Sequence, residues 1–137
     1  MLKAPVPTEK FPLFHKLSAQ FTKFAAAGGA GTALHYVILI VLVSRFHVPA
    51  AYAAFAAATA GACVVYLINQ RYTFDSQRSH TQTLPRFALM AAVGAVLNGM
   101  VVGVLSVAGL YFLLAQMIAT VVILVINFIV SKIWIFR

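Results

Sequence analysis

The chain repeats itself, and each repeat has the pattern of a helical hairpin that crosses a membrane twice. Residues 23–42 align with residues 86–105 at an offset of 63 (86 − 23 = 63). Lys23 falls on Arg86, Phe24 on Phe87, Ala25 on Ala88, Gly31 on Gly94, Leu34 on Leu97 and Leu42 on Leu105. The polar His35 falls on Asn98. After a slip of one residue (136 − 74 = 62), Ala53 meets Ala115, Ala57 meets Ala119, and Tyr72-Thr73-Phe74 lies over Trp134-Ile135-Phe136. Matches of Ala and Leu carry little weight in apolar sequence. The basic-Phe start, the common Gly, the polar position and the aromatic-x-Phe finish carry more. Internal repeats of this kind belong to transporter-like architectures, in which the site lies at the repeat interface.

Lipid must be the solvent for most of this sequence. Hydrophobic residues make up 63% of it and charged residues 9%, against about 25% charged in a soluble domain. The expected fold class is an all-α membrane protein with four transmembrane helices, arranged as two parallel-repeat helical hairpins and preceded by an amphipathic N-terminal helix. The spans are read as Phe24–Ser44, Ala50–Asn69, Phe87–Val107 and Leu110–Val130, each about 20 residues, enough to cross about 30 Å of hydrocarbon. Helices are required because lipid cannot satisfy an open backbone. A tail with an interfacial helix (1–23) thus precedes a four-helix domain (24–137), with repeats at about 23–74 and 86–136. The first apolar stretch is late, long and without a small-residue cleavage site, so it is expected to stay in the mature chain. Cys63 lies within a span and reads as a small packing residue.

The basic residues sort by loop. Lys3, Lys10, Lys16 and Lys23 precede the first span, Arg71, Arg78 and Arg86 surround the central loop, and Lys132 and Arg137 close the chain. The other side carries Arg45 alone. Positive residues mark the cytoplasm, so both termini and the central loop are expected inside. The net charge of +8 then reads as topology and contact with anionic lipid, with no nucleic acid as partner. Each repeat enters and leaves on one side, so the repeats are related by an axis along the membrane normal.

Between residues 11 and 24, Phe11, Phe14, Leu17, Phe21 and Phe24 recur every three or four positions, with Lys16, Gln20 and Lys23 elsewhere. Two readings stand: an amphipathic helix lying on the interface, or an extension of the first span. Gly28, Gly29 and Gly31 open the first span, and Ala53, Ala57 and Gly61 stripe the second. Small residues let helix backbones approach in lipid, so these two helices are expected to pack closely. The Ser/Thr/Gln/His-rich stretch from Asp75 to Thr83 reads as a solvated linker, and Tyr66, Tyr72 and Trp134 read as interface aromatics.

Polar residues inside spans are uncommon and usually face the bundle. His35 and Asn98 occupy equivalent positions, expected to make a common polar patch, and Asn127 lies in the fourth span. Each reads either as an interhelical hydrogen bond or as part of a polar path. Lys23, Asn69, Arg71, Arg86 and Lys132 gather near one membrane face, as lipid anchors or as a cationic ring for phosphate, which Arg binds in a planar fork and Lys as a point charge. The only acids, Glu9 and Asp75, lie outside the spans, which leaves no membrane carboxylate to carry a proton. No nucleophilic triad, cysteine pair, metal cluster or phosphate-cradling Gly loop is visible, so neither an enzyme nor a cofactor is expected.

Taken in order, Lys23-Phe24…Gly28…Gly31, Asn69-Gln70-Arg71-Tyr72-Thr73-Phe74, Arg86-Phe87 and Asn127-Phe128…Ser131-Lys132-Ile133-Trp134-Ile135-Phe136 resemble the GtrA-like family from about Gln20 onward. His35 departs from the Asn expected there. The resemblance implies flipping of a polyprenyl-phosphate-linked sugar for cell-surface polysaccharide synthesis, alongside a membrane glycosyltransferase of the same pathway. In that reading Lys23, Asn69, Arg71, Arg86 and Lys132 capture the phosphate, while His35, Asn98 and Asn127 bond the sugar. Four helices barely enclose a sugar, so a homo-oligomer is expected. The competing reading is a non-transporting adaptor that recruits or stabilises the glycosyltransferase. A small multidrug antiporter fits the size but lacks the carboxylate.

Overall fold

The fold comes from a computed structural model that describes residues 10–137; the expected polar tail falls before them. Four helices follow one another: α1 (Lys10–Ser44), α2 (Ala50–Ile68), α3 (His80–Val107) and α4 (Phe112–Val130). All four are long and apolar enough to cross a membrane. This is the all-α four-span architecture expected from the hydropathy. The helices α2 and α4 each end in a five-residue π-helical segment, Asn69–Thr73 and Ser131–Ile135.

Two boundaries and one side-chain role differ from expectation. The amphipathic stretch is not a separate interfacial helix, because α1 runs unbroken from Lys10 to Ser44. No helix breaker separates the two parts, and Phe21 and Phe24 already pack edge-on against Phe128 of α4 at 5.2 and 5.6 Å. The linker is shorter than expected, since α3 starts at His80. Thr83, read as linker, is instead fully buried. Tyr66, read as an interface aromatic, is buried too. Its hydroxyl lies 2.6 Å from His80 Nδ1 and 2.7 Å from Thr83 Oγ1. Tyr72 and Trp134 are exposed, as interface aromatics would be.

Each hairpin closes through small residues. In the first, α1 and α2 meet at Gly31 and Gly61. A Cβ on Gly31 would collide with Val65 Cγ2 and sit 2.8 Å from the Gly61 carbonyl oxygen, and one on Gly61 would sit 2.6 Å from the Gly31 carbonyl oxygen. Ala53 and Ala57, and their repeat partners Ala115 and Ala119, have no exposed surface. Lipid tails are as apolar as Leu, so helices in a bilayer associate by close packing of this kind.

The turns repeat as well. His47 and Gly109 both take positive φ (55° and 94°). The Val48 N–H bonds the Leu42 carbonyl and the Leu110 N–H bonds the Leu105 carbonyl, each at 3.0 Å. The first turn spans one residue more than the second, which is the slip from 63 to 62 in the sequence alignment.

The hairpins join at the end that carries the central loop and most of the basic residues, called here the basic end. Six aromatic rings make the joint in two repeat-related triads. Phe24, Phe74 and Phe128 form one, with centroids 5.6, 6.0 and 6.1 Å apart. Their counterparts Phe87, Phe136 and Tyr66 form the other, at 5.4, 6.2 and 6.5 Å. Phe74 and Phe136, each other's repeat partners, stack at 5.1 Å and 14°. A self-related stacked pair marks where the pseudo-two-fold axis passes. Each aromatic contact contributes about 0.5–1.5 kcal/mol beyond its buried area.

Candidate functional site

The π-helical endings shape the basic end. In both, the aromatic after the segment donates its N–H five residues back: Phe74 to the Asn69 carbonyl and Phe136 to the Ser131 carbonyl, each at 3.0 Å. One extra residue per turn re-aims the side chains that follow, a device common at functional sites. It turns Tyr72 and Trp134 outward and Thr73 and Ile135 into the core.

A cavity of about 480 Å³ lies where the end of α2, the linker and the start of α3 converge. Arg71, Arg78, His80, Gln70, Tyr72 and Asp75 are among its walls. Two guanidinium groups against one carboxylate leave it positive. Its walls are fixed by a buried network. The Tyr66 hydroxyl contacts His80 and Thr83, the Thr83 hydroxyl donates to Gln70 Oε1 at 2.8 Å, and Gln70 Nε2 donates to the Arg78 carbonyl at 2.9 Å. Connected, buried polar groups of this kind hold one geometry.

The expected cationic ring does not form as a ring; the structure distributes its members. Arg71 faces the cavity with Arg78 and His80, neither of them among the expected site residues. Arg86 donates to the Trp134 carbonyl at 3.0 Å, with its guanidinium carbon 5.4 Å from the centre of that indole. A cation there satisfies a carbonyl left open at a helix C-terminus. Lys132 donates to Gln20 Oε1 at 2.6 Å and lies over the Phe128 ring, at the seam between α4 and α1. Lys23 lines a separate groove with Tyr72 and Ile68. Asn69 has no exposed surface, and neither its amide nitrogen nor its carbonyl oxygen has a hydrogen-bond partner within the protein.

Higher in the spans, each hairpin carries a groove, and the two match residue for residue. One is lined by Gly28, Gly31, Thr32, His35, Ala58, Gly61, Ala62 and Val65. The other is lined by Ala91, Gly94, Ala95, Asn98, Thr120, Ile123, Leu124 and Asn127, their repeat partners in the same order. His35 and Asn98 therefore do not share one patch. Each belongs to its own hairpin, because the repeat axis carries one groove onto the other. The grooves differ in size, about 170 against 470 Å³. Beside Asn98 the structure brings in two residues that the sequence reading passed over. Gln116 exchanges long amide bonds with Asn98 (3.3 and 3.4 Å), and its Nε2 donates to Thr120 Oγ1 at 3.0 Å. A signal existed: Gln116, Thr120 and Asn127 recur at helical spacing along one side of α4.

The profile of the GtrA/DPMS transmembrane domain matches residues 23–136. No curated protein matches the chain significantly. The family is associated with lipid-linked sugar translocation, and the match begins at the first basic-Phe pair and ends at the last aromatic-x-Phe, so that both repeats fall inside it. The chain is a multi-pass membrane protein and belongs to the GtrA/DPMS transmembrane-domain family.

Proposed function

We propose that the protein moves a polyprenyl-phosphate-linked sugar from the cytoplasmic to the external leaflet of the bacterial cytoplasmic membrane, for building or modifying a surface polysaccharide. The observation that carries this reading is the positive cavity of Arg71 and Arg78 at the basic end, on a family scaffold with polar residues continuing up the spans. With the basic end in the cytoplasm, this cavity lies at headgroup level, where a phosphate monoanion or diester meets two guanidinium forks. A sugar crossing bare hydrocarbon loses several kcal/mol for each unpaired polar group. A groove between helices lowers that barrier while the polyprenyl tail stays in lipid. The supplier of the substrate is a membrane glycosyltransferase of the same pathway. The working unit is a homo-oligomer, since one four-helix chain leaves its grooves open; a fully active monomer in nanodiscs would contradict that part.

The test is flipping by the pure protein in liposomes loaded on one leaflet. Arg71→Ala and Arg78→Ala are expected to lower uptake of polyprenyl-phosphate hexose by at least about tenfold each, the loss of one charge-assisted bond of about 1.5–3 kcal/mol. Wild-type rates in both variants would remove the cavity from the mechanism. The adaptor reading rests on a different observation: Leu13, Phe14 and Leu17 leave an uncovered apolar face at the start of α1. It is favoured if the protein alone moves nothing and co-purifies with its glycosyltransferase.

A further inference from the structure

We infer that the α3–α4 groove alone is the sugar path, and that its α1–α2 twin has been closed into a structural joint. The inference rests on the translocation reading above and assigns the headgroup to one of two repeat-related grooves. Of the eight matched wall positions only Gly31 and Gly94 are the same, and three of the other pairs, with Ala54 and Gln116 beside them, carry the argument. Where α2 has Gly61, in backbone contact with Gly31, α4 has Ile123. The wider residue keeps the helices apart and leaves about 470 Å³ in place of 170 Å³. Small-molecule sites run from about 300 to 1,000 Å³, so only the second groove has room for one. Where the first hairpin has Ala54, Ala58 and Val65, the second has Gln116, Thr120 and Asn127. The open groove thus has Asn98, Thr120 and Asn127 where its twin has Thr32 and His35 as polar walls, and the added polarity is the opposite of what lipid-facing surface favours.

The chemistry of these groups selects the ligand. The walls carry the amides of Asn98 and Asn127 and the hydroxyl of Thr120, with Gln116 bonded to Asn98 and Thr120 beside them, and no charged residue. Such a set suits a neutral polyhydroxyl group and gives a phosphate no counter-charge. The Asn98–Gln116 bonds, at 3.3 and 3.4 Å, are longer than the usual 2.9–3.0 Å. Hydroxyls of a hexose would replace them at little cost. The division of labour is then sequential. Arg71 and Arg78 capture the phosphate first, and the headgroup then leaves them to enter the groove, because the rise of about 16 Å from His80 to Ala91 is too long for a hexose joined directly to its phosphate to occupy both places at once.

Ala95 and Thr32 are repeat partners in the two grooves, which makes a matched pair of probes. In a Cys63→Ser background, A95C and T32C are treated in proteoliposomes with a small membrane-impermeant thiol reagent. The thiolate is the reactive form and needs water, so the A95C thiol is expected to react at least about tenfold faster than the T32C thiol. A panel of polyprenyl-phosphate hexoses should slow the A95C reaction, and sugar-free polyprenyl phosphate should not. In parallel, Asn98→Leu and Gln116→Leu should lose flipping of the glycosylated lipid by about tenfold or more while still binding the sugar-free lipid. That retained binding shows that the variants are folded. Thr32→Val, in the twin groove, should flip within about twofold of wild type. Equal reactivity at the two positions, or no protection by any hexose lipid, overturns the inference even if the protein flips lipid normally. Protection at A95C in a protein that flips nothing keeps the groove as a sugar site and removes the translocation reading instead.

Discussion

Asn69 stands in the wrong solvent. It has no exposed surface, and both polar atoms of its amide lack a partner within the protein. Leaving a buried donor or acceptor unsatisfied costs about 1–3 kcal/mol. Its repeat partner Ser131, also fully buried, finds the Met90 sulfur at 3.3 Å. Asn69→Leu keeps the shape and removes the orphaned groups, so it should stabilise the protein by about 1 kcal/mol or more, read from unfolding in mixed detergent micelles. Tyr66→Phe should do the reverse. It strips the hydroxyl from a network that joins α2 to α3 and should cost about 1–2 kcal/mol. If Asn69→Leu destabilises the fold instead, the amide has a bonding role that the static geometry does not contain.

Among the helices, the first hairpin depends on two glycines and is indifferent to two others. Gly31→Ala or Gly61→Ala would force α1 and α2 apart, an overpacking cost of about 1–3 kcal/mol. A Cβ on Gly28 or Gly29 meets nothing within 4 Å. Those changes to Ala should be neutral or gain up to about 1 kcal/mol of helix propensity. Thermal unfolding of the four variants separates the pairs; equal losses in all four would mean that backbone contact is not what closes the hairpin. This joint was legible in the sequence, because small residues at helical spacing have one use in lipid. The π-helical endings were not. A bond five residues back leaves no mark in composition, and the two residues that make it, Phe74 and Phe136, are 62 positions apart in sequence and stack on each other only in the fold. Tyr66 was misread for a related reason: its partners His80 and Thr83 come from a stretch whose polarity imitates a loop. Gln116 and Thr120 were readable from their spacing, and they gain meaning only beside Asn98 on the neighbouring helix.

As a whole, the molecule is two hairpins of one design, locked at the basic end by a symmetric aromatic joint and given different grooves above it. Replacing both Phe74 and Phe136 with Ala removes the stacked pair on the axis and should cost about 3 kcal/mol or more, the range for buried aromatic truncation. It should do so while leaving each hairpin helical by circular dichroism. A loss of helix content would place the joint inside the hairpins and not between them. The most direct measurement is reconstitution of the wild-type protein in liposomes with polyprenyl-phosphate hexose confined to one leaflet, followed by its appearance on the other. Transfer that depends on the protein and on the headgroup is the expected result. No transfer from correctly folded protein, across several hexoses, would contradict translocation and leave the family scaffold as a partner for its glycosyltransferase.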